Sequence, residues 1–321
     1  MGHIFLVTFP FFAVVLCGYL ATRRGMLPME AIPGLNIFVL FFALPCMLYR
    51  FASITPIARL LDPSVSFTYL LCALAMVALT VAATRGPRVG WNDASFGALV
   101  GAFPNSGFMG VPLLVALLGA KAAGPAIVAL AVDMVFTSSL CIALSQLGAA
   151  GEHGARRAML QGLKGMLTNP LPWAIALGCL SAATGWQLPA GAQRAVEMLA
   201  EAASPTALFT LGTVLARSRL LGLATPPSPR RRSDVPKLVA GKVIVHPVLM
   251  FAAGSAAIAL GAPLDRFSLT VLVLTAALPS ASNVPMLAER FGADAGRIAR
   301  VVLTTTVVAF ATFPLAVVLL R

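Results

Sequence analysis

The chain has 321 residues, of which 59% are hydrophobic and only 11% charged, and its mean hydropathy is +0.91. Soluble domains carry roughly 25% charged residues, so this composition excludes an ordinary soluble protein and predicts an all-α polytopic membrane protein. The net charge of +12 does not indicate nucleic-acid binding, because the Lys and Arg residues lie in short loops between apolar spans and face the lipid bilayer there.

Ten apolar stretches are long enough to cross a bilayer, since a spanning helix needs about 20 such residues. They cover approximately residues 4–22, 33–52, 65–84, 94–118, 123–147, 168–185, 196–216, 237–260, 267–290 and 296–320. Of the 23 Lys and Arg residues, 17 fall in loops on one side and six on the side of the N-terminus. The positive-inside rule then predicts a multi-pass protein of the inner membrane with both termini extracytoplasmic.

The longest and most polar connection runs from Leu220 to Lys237 and contains three consecutive arginines, Arg230 to Arg232. Its Pro, Ser and Arg content predicts a flexible cytoplasmic linker. The arginines anchor the topology in the simplest interpretation, and binding of anionic lipid or of a partner is the alternative.

The two halves of the sequence resemble each other. An offset of 160 residues relates Gly18 to Gly178 and Pro45 to Pro205, and an offset of 173 aligns Val111–Ala120 with Val284–Ala293. Each half holds five spans, an odd number, so the second half must enter the membrane upside down. This predicts two inverted repeats, residues 1–147 and 168–321, joined by a cytoplasmic linker at 148–167.

The fourth and ninth spans each contain a cluster of helix-breaking residues in mid-span. Proline removes a backbone donor and glycine adds backbone freedom, and in lipid a broken helix is tolerated only where it is buried in protein or lines a cavity. Broken spans at corresponding positions of two halves indicate a transporter's binding site. The predicted breaking residues are Pro104, Gly107, Gly110, Pro112, Pro279 and Pro285.

Polar side chains accompany both breaks. Half-helix N-termini carry partial positive charge and free N–H groups that suit a carboxylate, and Asn and Ser side chains add further donors. The alternative is that these side chains only cap the broken backbone. The predicted substrate-binding residues are Asn105, Ser106, Ser280, Ser282 and Asn283.

Two ionisable residues inside spans are candidates for coupling transport to a proton or a sodium ion. Asp133 lies within the fifth span, where a carboxylate is costly and indicates function, unless it merely pairs with a polar neighbour. His246 could relay protons, although a His before Pro247 is as often structural. Lys242 shares a helix face with His246 and is expected to extend to the cytoplasmic edge of the membrane.

Catalytic and metal-binding motifs are missing from the sequence. It contains no HExxH, GxSxG or GxxxxGK[ST] pattern, only three His, and no clustered Cys. We therefore expect neither an enzyme nor a metal or other cofactor site.

Three segments resemble the auxin efflux carrier family, whose bacterial members include provisionally named malonate transporters and whose plant members export auxin. They are GFMGVPLL (Gly107–Leu114), KVIVHPVL (Lys242–Leu249) and LPSASNVPMLAERFG (Leu278–Gly292). The resemblance extends over essentially the whole chain. The long cytoplasmic loop of the plant exporters is missing, which favours a small carboxylate over auxin as the substrate.

This resemblance implies ten helices in two inverted five-helix repeats, the fold of sodium/bile-acid symporters. It implies a scaffold from helices 1, 2, 6 and 7, a transport domain from helices 3–5 and 8–10, and elevator-type movement. An organic anion would bind where the broken helices 4 and 9 cross, near the matched Asn105 and Asn283. A homodimer through helices 2 and 7 is also implied. A passive anion channel and a sodium-coupled symporter of another organic solute are the alternatives.

Overall fold

The computed structural model describes residues 2–87, 89–148, 168–224 and 234–320. Within them the chain is helical, with two isolated β-bridges and no strand. We number the helical segments of seven or more residues as follows, each including its own π-helical or 3₁₀ turns. They are α1 Gly2–Arg23, α2 Ala31–Ile54, α3 Pro63–Thr84, α4 Trp91–Ala102, α5 Ser106–Leu118, α6 Ala120–Ser145, α7 Pro170–Thr184, α8 Ala190–Ala224, α9 Val235–Ala259, α10 Arg266–Ala276, α11 Val284–Arg290 and α12 Ala295–Leu319.

The described helices have the lengths and composition of a polytopic membrane protein, as the sequence predicts. Seven candidate spans among the described residues are long and apolar enough to cross a membrane, and they correspond to all or most of α1, α2, α3, α6, α8, α9 and α12. Helices α5, α7 and α10 are shorter and apolar. The predicted spans at 94–118 and 267–290 are each divided in two, into α4 and α5 and into α10 and α11.

Side-chain caps fix where several helices begin. The Asp62 carboxylate accepts hydrogen bonds from the backbone N–H groups of Ser64 and Val65 at the start of α3. Asp265 accepts from the backbone N–H and the hydroxyl of Ser268 at the start of α10. Partial burial opposes ionisation there, but these hydrogen bonds outweigh it and hold the pKa of Asp265 below its usual value.

The prediction of a loop from Leu220 to Lys237 is wrong at both ends, because helix extends into it from each side. Helix α8 continues to Ala224, because the leucine-rich and alanine-rich sequence favours helix. Helix α9 already begins at Val235, since Pro236 lies in the first turn, where its missing N–H is not needed. Residues 225–233 with the three arginines, and residues 149–167 of the other predicted linker, lie outside the described residues.

The helices pack in two groups. Helix α8 packs against α1 and α2, and α2 packs against α7; we call these four helices the four-helix group. Helices α3–α6 and α9–α12 contact one another, and we call them the crossover group because it contains both divided spans.

Glycines allow direct backbone contact inside the four-helix group. A Cβ at Gly18 of α1 would overlap the backbone carbonyl of Phe209 in α8, and one at Gly178 of α7 would overlap the side chain of Ala52 and the carbonyl of Tyr49 in α2. Small residues at helix interfaces let backbones approach closely and gain van der Waals contact. The two contacts correspond to each other in the sequence. Gly178 lies 160 residues after Gly18, and Phe209, the partner of Gly18, lies 160 residues after Tyr49, the partner of Gly178.

Candidate functional site

The two interruptions meet inside the crossover group. The first separates α4 from α5 and the second separates α10 from α11. The backbone N–H of Asn105 donates to the carbonyl of Pro279 at 2.8 Å, and the N–H of Ala281 donates to the carbonyl of Phe103 at 3.0 Å. These bonds form an isolated antiparallel bridge. Each broken segment therefore satisfies backbone groups of the other, which buried irregular backbone requires.

The predicted breaking residues divide into two sets. Pro104 and Pro279 lie within the interruptions themselves. Pro112 and Pro285 lie instead in the first turn of the α-helical stretches Val111–Leu118 and Val284–Arg290. Pro285 is tolerated at its position because the N–H of a first-turn residue has no helical acceptor. Pro112 follows the π-helical turn Ser106–Gly110 inside α5, so its missing N–H still interrupts the hydrogen bonding of that helix.

The glycines of the first break belong to a π-helical turn, Ser106–Gly110, at the start of α5. Short π-helical turns inside helices frequently mark functional sites. A Cβ at Gly110 would overlap the side chain of Leu278, and one at Gly107 would only touch Leu130. Gly110 therefore leaves room for the side chain of Leu278, from the second break, to pack against the first break.

Two of the predicted substrate-binding hydroxyls, those of Ser280 and Ser106, lie within hydrogen-bond distance of backbone carbonyls of the protein. The Ser280 hydroxyl donates to the carbonyl of Val100 at 2.7 Å, and the Ser280 N–H donates to the Thr305 hydroxyl at 3.2 Å. The Ser106 hydroxyl lies 3.5 Å from the carbonyl of Pro104. For Ser280 in particular, this is the arrangement expected of a residue that caps broken backbone.

The two asparagines differ from the serines. Asn105 is 2% exposed, and its amide nitrogen Nδ2 has no hydrogen-bond acceptor among the described residues. Asn283 directly precedes α11 and makes no side-chain capping bond to it. Ser282, beside it, is buried. The structure thus brings all five predicted residues to the paired breaks and leaves the Asn105 amide without an acceptor there.

Asp133 begins another π-helical turn, Asp133–Thr137, in α6 and is fully buried. Its carboxylate accepts hydrogen bonds from the Tyr69 hydroxyl at 2.6 Å and from the Thr137 hydroxyl at 3.0 Å. Tyr69 is a neighbour that the sequence analysis missed, because no pattern relates residues 64 positions apart.

The prediction that Lys242 extends to the membrane edge is wrong. Lys242 is fully buried; its Nζ lies at hydrogen-bond distance, 2.9 Å, from Nδ1 of His246 and donates to the carbonyl of Ala276 at 3.1 Å. Ala276 ends α10 at the second break, where the negative end of the half-helix attracts a cation. Lys242 also interacts electrostatically with Asp133. Nε2 of His246 is buried and has no partner among the described residues.

A buried ion pair supports the crossover group at one end. Nε of Arg297 in α12 donates to both carboxylate oxygens of Asp234, at 3.1 and 3.0 Å, just before α9. Nη1 of Arg297 donates to the carbonyl of Asp93 in α4 at 2.8 Å. A Cβ at Gly97 would overlap this guanidinium. The sequence alone does not reveal this network, because it shows only an Asp before one helix and an Arg in the first turn of another.

Comparisons with known proteins identify the family of this chain. A family model described as "Membrane transport protein" matches residues 3–317. A protein of Rhizobium meliloti (strain 1021), provisionally named a malonate transporter, is 30% identical over 319 residues, covering 97% of this chain and 94% of the relative. The uncharacterized transporter YfdV of Escherichia coli (strain K12) is 25% identical, covering 88% and 86%. Auxin efflux carrier component 8 of Arabidopsis thaliana is 25% identical, covering 86% of each.

Proposed function

This chain belongs to the membrane transport protein family, together with the auxin efflux carriers, and we propose that it is a secondary active transporter of small organic anions. The family and its named relatives are membrane transporters, not enzymes. The proposed substrate is a small carboxylate of the malonate type. The provisional name of the Rhizobium relative supports this choice, and so does the chemistry of the paired breaks.

The observation that carries the proposal is the unpartnered amide of Asn105. A buried N–H donor without an acceptor costs about 1–3 kcal/mol, so this position favours a ligand that brings an acceptor. Helix α5 begins at the next residue, so the positive dipole end of its first turn lies at the same break. A carboxylate provides both the acceptor oxygens and the negative charge.

We propose ten membrane crossings in two inverted five-helix repeats, of the sodium/bile-acid symporter type. The division of α4 from α5 and of α10 from α11 supports counting each pair as one broken crossing. The matched contacts of Gly18 with Phe209 and of Gly178 with Tyr49 support the repeat. A two-fold relation that exchanges the halves would map one contact onto the other, with the same offset of 160 at both partners.

The proposed mechanism is elevator-type alternating access. The four-helix group would be the scaffold, and the crossover group would carry the substrate across the membrane. The buried charges support this division, because Asp133, Asp234, Lys242, His246 and Arg297 all belong to, or directly precede, helices of the crossover group. We further propose a homodimer through the second and seventh crossings, α2 and α8, in an inner membrane with both termini extracytoplasmic.

We propose Asp133 and His246 as the groups that couple transport to an ion. Each Asp133 oxygen already accepts a hydroxyl hydrogen bond, and Lys242 supplies positive charge nearby. This surrounding disfavours a bound sodium ion and favours proton exchange. The Lys242 Nζ lies between the His246 ring and the carbonyl of Ala276 at the end of α10. A change of charge on His246 or Lys242 would therefore alter the interactions at the second break.

Counterflow in vesicles tests the proposed function. The purified protein is reconstituted, the vesicles are loaded with malonate or another small carboxylate, and uptake of the labelled anion is measured with and without sodium. A carrier gives uptake that internal substrate accelerates. Flux without such acceleration would favour a passive channel, and a strict requirement for sodium would favour a sodium-coupled symporter.

A further inference from the structure

A groove separate from the crossover lies along α3 and α6, beside the beginning of α4. Its volume is about 570 Å³. Its walls are mostly apolar, with Leu74 and Ala78 of α3 on one side and Leu140 and Leu144 of α6 on the other. No residue of the two breaks lines it. An apolar wall of this kind cannot pair the carboxylates of the proposed substrate, so the groove suits a different ligand.

The length of the groove matches one leaflet of a bilayer. Its lining on α3 extends from Leu74 to Arg85, which follows the last residue of that helix. Eleven residues at 1.5 Å each give roughly 16 Å, and half of the hydrocarbon core is about 15 Å. An acyl chain lying along α3 would therefore reach from the level of the lipid headgroups to about the bilayer centre.

The end of the groove carries an aromatic ring and a cation. The Arg85 guanidinium lies over the Trp91 ring, 4.1 Å from its centroid. Neither of the ion pairs found among the described residues involves Arg85. Trp is enriched at the membrane–water interface, and Arg binds phosphate through several N–H groups. The predicted topology places Arg85 on the side that holds 17 of the 23 Lys and Arg residues.

We propose that this groove binds an anionic glycerophospholipid, with one acyl chain between α3 and α6 and its phosphate on Arg85. The apolar length, the interfacial Trp91 and the positive charge of Arg85 together fit a lipid with an anionic headgroup, and basic sites beside transmembrane helices bind such headgroups. The proposal is independent of the transported substrate, because neither Arg85 nor Trp91 lies at the paired breaks.

The test compares two lipids with identical acyl chains. Delipidated full-length protein in a neutral detergent is titrated with phosphatidylglycerol or with phosphatidylcholine, and the Tm is recorded. We expect phosphatidylglycerol to raise the Tm by roughly 3 °C or more beyond phosphatidylcholine, because a ligand of the folded state stabilises it. Arg85→Gln should remove this difference and Arg85→Lys should keep part of it.

Two further variants complete the experiment. Ala82→Trp fills the groove and should abolish the response to both lipids. Arg290→Gln is the matched control, since Arg290 also lies near an aromatic ring, that of Phe291, but outside the groove, and it should respond like the wild type. Equal responses of the wild type to both lipids, or an unchanged preference for phosphatidylglycerol in Arg85→Gln, would overturn the proposal.

Discussion

The two helix groups are held together by different interactions. In the four-helix group, Gly18 and Gly178 bring helix backbones into direct contact, and no Asp, Lys, Arg or His side chain of its described residues is buried. In the crossover group, buried polar side chains bridge the helices, including Arg297 with Asp234 and Tyr69 with Asp133. The first arrangement has few unsatisfied polar groups, and the second contains the unpartnered Asn105 amide.

This difference indicates that the four-helix group is rigid and that the crossover group contains the functional site. Close backbone packing leaves little room for rearrangement, because interiors of protein density tolerate small volume changes poorly. Buried polar groups are expensive in lipid and persist where they serve a site or its support. The comparison therefore predicts that substitutions in the four-helix group act on stability alone, whereas those in the crossover group divide between stability and ligand binding.

The largest expected effect is the loss of the buried ion pair. Arg297→Met leaves Asp234 buried and unpaired, which we expect to cost about 3–5 kcal/mol in free energy of unfolding. Thermal unfolding of the purified variant measures it. The double variant Arg297→Met with Asp234→Leu should recover most of the loss, and a double variant as unstable as the single one would contradict the role of the pair.

The second-largest expected effect is the loss of the close helix contacts at Gly18 and Gly178. We expect Gly18→Val and Gly178→Val each to destabilise the fold by about 2–3 kcal/mol, because the new side chains would meet backbone carbonyls. Similar losses of Tm at both positions would support the proposed repeat. Gly34→Ala is the control, since a Cβ there meets nothing within 4 Å, and it should leave the Tm unchanged or slightly raised. Tolerance of valine at position 18 or 178 would contradict the close packing.

Within the crossover, the serine and the asparagine should behave differently in the absence of substrate. Ser280→Ala removes a hydroxyl bonded to Val100 and should lower stability by about 1 kcal/mol. Asn105→Leu, of similar size, removes a buried donor that has no acceptor and should leave the Tm unchanged or raised. A larger loss of Tm in Asn105→Leu than in Ser280→Ala would show that Asn105 is structural.

The last prediction concerns the coupling group, where the readout is transport and not stability. Asp133→Asn keeps the shape of the side chain and should make uptake in vesicles independent of the external pH between pH 5 and 7.5. Asp62→Asn is the control, because Asp62 caps α3 at its first turn, and it should keep the wild-type pH profile. An unchanged pH profile in Asp133→Asn would remove this residue from the coupling mechanism.

The sequence predicts the features that depend on local residue chemistry. Prolines and glycines in mid-span locate the two interruptions, and apolar length locates most of the helices. Contacts between distant residues are not visible in this way. The burial of Lys242 could not be predicted, because it depends on the end of α10, 34 residues further along the chain. The same reason explains why Tyr69 and Arg297 were missed.

The most direct test of the proposed crossover site is a thermal-shift screen against small mono- and dicarboxylates at pH 5 and 7.5, with and without sodium. A ligand that binds only the folded protein raises its Tm. The proposed site predicts a shift with at least one carboxylate, which Asn105→Ala and Asn283→Ala abolish while Ser64→Ala, a control at the start of α3, retains it. A shift that survives in both asparagine variants, or that occurs only with cations or neutral solutes, would contradict binding of an organic anion at the crossover.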